Sequence, residues 1–566
     1  MPAEPLTEAP NAEKLAVALV IVTAIALAAF RATFGVSLYD DSHYVTVALR
    51  LAQGARPLAD EMSLQSLGFM PSAAFVWVWL RFFGLDHLVM AYRLFYVALA
   101  SSVGTLAYLQ LRRSFRPIVS AMPVVAVLLC PPFNLLAPGY NLMATLGFLA
   151  ATTLGHRAWV DRNAAAAAGA GAALVFASVT YPPLSVAAFV FAVSFLALTR
   201  DRRLAVWLLG ACAVASVAFV VALLSTVSIA EIHRAIGYAS ANVVNLRSPL
   251  DKFEVTFSRV WDSLIVPTLW PMWLAAAVAC IPRLPAKVRG TLLLALPVLA
   301  GARSVEVLAS KERLFGTTAP AWLITFVLGA LVPVAFWAWR AKRREIIGLL
   351  TLAGPASIVG FLTVVYSTDS GWLRAVPVIG LVPLALAVLV AWGSAIAELL
   401  GDVAFSAGAL ATIAIAMCML WTTTIDDGPP LAMHAVIDHG AYAGMHVPDS
   451  RRDELARLEA AAKRWVRPSS RMTFYGERQG YLLSGGRIYT NAVWLYPSPS
   501  DSYALAYFAA HGAMPDVVFT DQFAMRLHGL LPYQHGAKSD PLIARLVKEY
   551  QLAEIVDDFG IWVRRK

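Results

Sequence analysis

Phe69-Met70-Pro71-Ser72-Ala73-Ala74-Phe75-Val76-Trp77-Val78-Trp79-Leu80-Arg81-Phe82-Phe83 is an apolar run of 15 residues interrupted by an arginine. About 20 apolar residues are needed to carry a helix across roughly 30 Å of hydrocarbon, so this run is short for a span. Its reading decides the topology of everything after it. If it does not cross, the clusters Arg112/Arg113/Arg116, Arg157/Arg162, Arg200/Arg202/Arg203, Arg283/Lys287/Arg289 and Arg340/Lys342/Arg343/Arg344 all fall on one side. If it does cross, all of them move to the other. Basic loops mark the cytoplasmic side, so the run is placed as an interfacial or re-entrant helix, with its Trp and Phe rings at headgroup depth and Arg81 snorkelling.

The rest of the chain agrees with lipid as the main solvent. It is 566 residues long, 59% hydrophobic and 14% charged, where a soluble globular protein carries roughly 25% charged residues. Apolar runs near 14–34, 88–111, 118–136, 142–160, 164–181, 183–199, 204–228, 259–281, 291–308, 318–339, 346–366, 373–392 and 404–425 predict a mainly α, polytopic transmembrane bundle of about thirteen spans. The first run has no basic segment before it and no small-residue cleavage site after it, so it reads as a retained anchor. The net charge of +9 resides in short clusters between apolar runs, which excludes a nucleic-acid-binding face and leaves topology as its meaning. All four cysteines lie in apolar stretches with no metal-ligand spacing.

From Asp426 the composition turns soluble. A helix over 451–465, strands near 472–475, 487–489 and 516–520, a helix over 541–550 and strands near 553–556 and 560–563 predict a small α/β domain over 426–566. It carries no phosphate loop, nucleophile elbow or metal motif. Its expected role is to cover or position an acceptor. Under the topology above, this domain and the loop 35–68 share the external face.

That loop holds the chemistry. Asp40 and Asp41 open a helix whose apolar positions Tyr44, Val47, Ala48 and Leu51 recur at helical spacing and which closes at Gly54. An Asp at a helix N-terminus caps it, which accounts for one carboxylate and leaves the second without a structural task. The chemical reading is a carboxylate that takes a proton from an acceptor hydroxyl at the bilayer boundary.

The pattern Asp40-Asp41-x-x-Tyr44-x-x-x-Ala48-x-x-Leu51-x-x-Gly54-x-x-Pro57 resembles the first external loop of the GT-C superfamily, the glycosyltransferases that use polyprenyl-phosphate sugars. Phe83-Gly84, Tyr92-Arg93-Leu94 and Tyr108-x-x-x-Arg112-Arg113 look like the continuation found in protein O-mannosyltransferases and lipid A aminoarabinose transferases. The likeness is closest over 35–116. Two departures stand out: Met70-Pro71-Ser72 occupies the place of the family's frequent His-Pro-Pro, and Asp41 that of its frequent Glu. The resemblance implies that Asp40 or Asp41 is the general base, with Asp40 matching the leading Asp. Asp41 is then left to hold the acceptor or a metal. Paired carboxylates suit a hard divalent cation, but the superfamily has members with and without one, so no cofactor is assigned.

Arg93 falls near the external end of a span, where an ionisable side chain reads as functional. Guanidinium grips phosphate through parallel bonds, so Arg93 is the expected ligand of the donor phosphate, with Arg303, Lys311 and Arg313 as further candidates. Tyr44 and Glu306 are expected to line the substrate. The expected partners are a polyprenyl-phosphate sugar donor, a glycan, lipid or protein acceptor, and the bilayer of a bacterial plasma membrane. The expected reaction is sugar transfer to an acceptor hydroxyl on the extracytoplasmic face, by a single displacement with inversion. Two rivals remain open: a lipid-linked glycan polymerase or ligase using diphosphate donors, and a flippase of lipid-linked sugars, for which an inverted repeat would be the signature.

Overall fold

The computed structural model describes residues 11–131, 135–241, 248–309, 318–367, 376–422, 427–495, 501–521 and 541–565. Lys311 and Arg313 lie outside them.

The chain is mainly helical. The bundle is built from α1 (Asn11–Arg31), α2 (Asp40–Ala52), α3 (Met70–Phe83), α4 (Leu88–Leu111), α5 (Pro117–Leu129), α6 (Tyr140–Asp161), α7 (Ala164–Thr180), α8 (Ser185–Thr199) and α9 (Arg202–Leu224). It continues through α10 (Ile229–Ala241), α11 (Pro249–Leu264), α12 (Trp270–Ala279), α13 (Ala286–Ala309), α14 (Thr318–Arg340), α15 (Arg344–Ser367), α16 (Val376–Leu400) and α17 (Asp402–Thr422).

Among the described residues, 10 helices are long and apolar enough to cross a membrane, against the thirteen expected. The difference has local causes. α5 and α7 have 13 and 17 residues, and α6 carries Asn141, three threonines, His156 and Arg157 along its length. The run 259–281 is broken by a 3-10 turn at Pro267–Leu269, which leaves α12 with 10 residues. Conversely, the 10 include the stretch Leu64–Phe83, a 3-10 turn followed by α3.

The basic clusters meet at one end of the bundle. There Arg113 approaches Asp161 at 3.7 Å, Arg162 approaches Asp201 at 3.2 Å, Arg116 pairs with Asp402, and Arg343 pairs with Glu398. The Nε2 of His156 lies 3.1 Å from the carbonyl of Glu345, joining the end of α6 to the start of α15. At the other end lie α2 and both termini of α3. The first residue after α3 is Gly84, and by His87 the backbone N–H already donates to the carbonyl of Gly440 in the C-terminal lobe (3.0 Å).

That lobe begins with a two-stranded ladder, β1 (Ala435–Val436) and β2 (His446–Val447), followed by α18 (Asp449–Trp465). Its main sheet contains β3 (Arg471–Tyr475), β4 (Arg487–Ile488), β5 (Val517–Asp521), β6 (Tyr550–Val556) and β7 (Phe559–Arg564), in the order β4-β3-β5-β7-β6. β4 and β5 flank β3 in parallel, and β6 and β7 close the far edge as an antiparallel pair. Sequence placed every one of these five strands to within about three residues, because each is a short β-branched or aromatic run between turn residues.

The lobe clamps the loop after α1. The N–H of Gly35 donates to the carbonyl of His446 and the N–H of His446 to that of Thr33, both at 2.8 Å, and the N–H of Gln479 donates to the carbonyl of Leu38 (2.7 Å). Asp427 accepts from the N–H of Val36 (2.7 Å) and from Arg451 (2.7 Å). Deeper in the interface, Arg50 of α2 pairs with Glu61 at 2.7 Å and reaches the carbonyl of Thr490, while Glu61 also accepts from the N–H of Val493 (2.9 Å). The pair is fully desolvated, with Arg50 4% and Glu61 0% exposed. Burial raises the Glu61 carboxyl above its usual value although Arg50 and the Val493 amide pull it down.

Candidate active site at the start of α2

The N-cap of α2 is Tyr39, whose side chain makes no capping bond, and both Asp40 and Asp41 fall in the first turn of the helix. Asp41 is 0% exposed and its two oxygens accept from Arg93, Oδ1 from Nε at 3.3 Å and Oδ2 from Nη2. Arg93, one turn into α4 and 3% exposed, extends its remaining donors to backbone: Nη1 to the carbonyls of Ala32 (3.0 Å) and Phe34 (2.9 Å), and Nη2 to that of Gly35 (2.8 Å). A guanidinium has five N–H groups, and all five are committed here. A phosphate would have to displace Asp41 or strip a carbonyl to bind it.

Asp40, one residue earlier, is partly exposed. Its charge acts on Tyr44, whose phenol is pushed well above its usual value, first by burial and then by Asp40. Tyr44 itself is a wall of the site: it is 1% exposed, with ring centroids 5.4 Å from Phe69 and 5.9 Å from Tyr140. It packs flat on the turn before α6, where a Cβ added to Gly139 would sit 2.3 Å from its ring. The next ring outward is Tyr181, stacked on Tyr140 at 5.4 Å. The Asn141 side chain lies beside Tyr44 and Tyr140 with both amide atoms buried and without a partner at hydrogen-bond distance. Tyr92 completes the wall, its hydroxyl 3.0 Å from both Ser72 Oγ and the carbonyl of Pro138, either of which can accept its one proton.

The remaining expected residues lie elsewhere. Arg303 pairs with Glu306 one turn on in α13 (2.8 Å), and Glu306 also accepts from Thr268 (2.8 Å). No cluster of three or more metal-ligand side chains occurs among the described residues, and both oxygens of Asp41 accept from Arg93. Sequence reading did not single out His43, Tyr140 or Asn141.

Below the site, α4, α5, α6, α14 and α16 line a small apolar pocket of about 40 Å³. Tyr96, Pro123, Cys130, Thr145, Ile324 and Leu386 line it, and Tyr96 is one turn below Arg93.

Two solved structures are similar to the chain over nearly its whole length. The crystal structure of ArnT from Cupriavidus metallidurans bound to undecaprenyl phosphate aligns over 96% of this chain and 97% of that one, at 14% identity and a TM-score of 0.43. The archaeal oligosaccharyltransferase AglB from Archaeoglobus fulgidus, in complex with an inhibitory peptide and a dolichol-phosphate, aligns over 98% of this chain and 75% of that one, at 13% identity and a TM-score of 0.39. No family model matches the chain, and neither does any curated protein. At these scores the likeness to ArnT and AglB is one of outline, and the site at α2 stands on its own geometry.

Proposed function

We propose that the protein is a membrane glycosyltransferase that moves a sugar from a polyprenyl-phosphate donor to an acceptor hydroxyl on the extracytoplasmic face. The observation that carries this reading is the division of labour between adjacent carboxylates. Asp41 is buried and locked by Arg93, while Asp40 reaches the surface at the same helix start. A buried carboxylate paired to a guanidinium is a poor base because taking up a proton would break the pair; the more exposed carboxylate is the better placed to meet an acceptor hydroxyl.

In the reaction, the acceptor hydroxyl gives its proton to Asp40 as its oxygen bonds to the anomeric carbon. The bond from that carbon to the phosphate oxygen breaks, and the polyprenyl phosphate leaves with the electron pair. One displacement inverts the anomeric centre. Arg93 is reassigned from phosphate ligand to positioning residue, because it anchors both Asp41 and the strand of chain that delivers Asp40. The isoprenoid tail is placed along the apolar outer faces of the bundle, since the small pocket below cannot hold it. The topology that puts Asp40 and the C-terminal lobe on the outer side rests on the basic clusters gathered at the opposite end and on α3 lying in the interface.

The test is transfer in liposomes. Protein reconstituted with labelled polyprenyl-phosphate sugars and a panel of acceptors should release free polyprenyl phosphate, and Asp40→Asn should stop that release. Undiminished transfer by the variant refutes Asp40 as base; lipid movement without donor consumption favours a flippase.

A further inference from the structure

The C-terminal lobe meets α2 along a face that is unusually poor in satisfied polar groups. His43, Thr46 and Arg50 recur at helical spacing on this face. Against it pack the 3-10 turn Leu64–Phe69 and the segment 478–494 of the lobe. Among the described residues, the buried polar atoms without a hydrogen-bond partner include both ring nitrogens of His43, Thr46 Oγ1, Glu61 Oε1, Ser66 Oγ, both amide atoms of Gln479, Asn491 Oδ1 and Trp494 Nε1. They come from one neighbourhood. The His43 ring lies 5.0 Å from Trp494 and 5.9 Å from Phe69. Gln479 is tied to α2 through its own backbone, its carbonyl accepting from Ser42 (2.8 Å), and Asn491 through its carbonyl to the N–H of Met62 (2.7 Å).

Buried polar groups are nearly always paired, and each one left unpaired costs roughly 1–3 kcal/mol. A concentration of them at one interface signals an occupant. The sheet gives an independent reason to expect it there. β3 continues to β4 on one side and β5 lies on its other side, so the strand order reverses at β3, and open α/β sheets bind ligands at the carboxyl ends of strands where the order reverses. Gly476–Gln479, the loop leaving β3, is the segment that sits on α2.

We propose that this face is the acceptor subsite and that its ligand is a neutral, hydroxyl-rich glycan. The inference rests on the transferase reading above and names its acceptor class. The chemistry of the face selects the class. His43 is held neutral, pushed down to about 3 by burial although the Gln65 side chain beside it pulls the other way, so its ring presents one donor and one acceptor, with Gln65 as the neighbour a ligand would compete with. The amides, hydroxyls and indole N–H likewise mix donors and acceptors, as sugar hydroxyls do, and Trp494 adds an aromatic face. A phosphate or other anion would meet Glu61, and the cation beside it, Arg50, already holds Glu61 and the carbonyl of Thr490. His43 follows Asp40 by three residues, so a glycan seated here presents a hydroxyl on the same helix face as the base. The subsite is closed in this structure, and a sugar enters as segment 478–494 parts from α2.

Saturation-transfer NMR on the full chain in detergent tests this without donor, so it fails or succeeds separately from transfer activity. The probes are methyl glycosides of mannose, glucose and galactose, with inorganic phosphate as the comparison. At least one glycoside should bind, Gln479→Leu and Trp494→Phe should each weaken that binding at least tenfold, and Asp40→Asn should leave it intact. Unaltered thermal midpoints for Gln479→Leu and Trp494→Phe confirm folded protein. Binding of phosphate in preference to glycosides, no glycoside binding at all, or glycoside binding unchanged in both variants overturns the proposal, the last two leaving ordered water as the occupant.

Discussion

Arg93 and Asp41 form a buried ion pair that joins α4 to the start of α2, and the same guanidinium holds three carbonyls of the connection from α1. Removing one partner of a buried pair leaves an uncompensated charge, at a cost of roughly 3–5 kcal/mol. Arg93→Ala should therefore lower the thermal midpoint and abolish activity together. Arg93→Lys keeps the charge but lacks the planar fork, and should recover part of the stability but little of the activity. Midpoints measured in detergent beside initial rates separate the two.

Asp40 differs from its neighbour in exposure, and the two asparagine variants should differ accordingly. Asp40→Asn should fold with an unchanged midpoint and lose transfer by several orders of magnitude. Asp41→Asn should lose stability first. Equal loss of stability in both variants would contradict the division of labour drawn here.

Gly139 is required by the ring it carries. A Cβ there would lie 2.3 Å from Tyr44, which is fixed by Phe69 and Tyr140 and has little room to give. Overpacking of this kind costs roughly 1–3 kcal/mol. Gly139→Ala should depress both stability and activity, whereas Gly354→Ala in α15, with no atom within 4 Å of the added carbon, should be neutral or slightly stabilising. Parallel melts of the two variants check this.

His43 makes stability depend on pH in a predictable direction. Its folded value is pushed down to about 3, below the ordinary value near 6.5. Between these, the unfolded chain binds a proton that the folded chain does not. Stability should thus fall as pH drops below about 6.5, by up to roughly 1.4 kcal/mol per pH unit. His43→Gln should flatten that slope in denaturation series between pH 7 and about pH 4.

The Arg50–Glu61 pair is the buried fastening of the C-terminal lobe. Glu61→Ala strands Arg50 and frees the amide of Val493, so segment 478–494 should become sensitive to limited proteolysis while the membrane helices stay intact. Unchanged cleavage kinetics would show that the backbone bonds at Leu38 and Gly35 hold the lobe alone.

How much of this was legible beforehand depends on the range of the signal. The helix opened by Asp40 and closed before Gly54 was readable, since its period and punctuation are local, and the strands of the lobe were readable for the same reason. The broken run at 259–281 was misread because hydropathy averaged over a window hides a single 3-10 turn at Pro267. Arg93 was read as a phosphate ligand; the partners it has in this structure, Asp41 and three carbonyls more than fifty residues away, were not foreseen, because backbone carbonyls leave no trace in side-chain patterns. The face of His43, Gln479 and Trp494 was invisible for the same reason, as it exists only when two ends of the chain are brought together.

That last separation has a consequence for biogenesis. The bonds from Ser42 to Gln479 and from Arg50 to Thr490 span 437 and 440 residues. α2 emerges among the first elements of the chain, yet the surface it needs is synthesised almost last. The bundle can be threaded through the membrane while its acidic helix is still incomplete, so a nascent or truncated chain holds the proposed base without the platform opposite it. Competence at this site arrives only once residues 478–494 have followed α2 out.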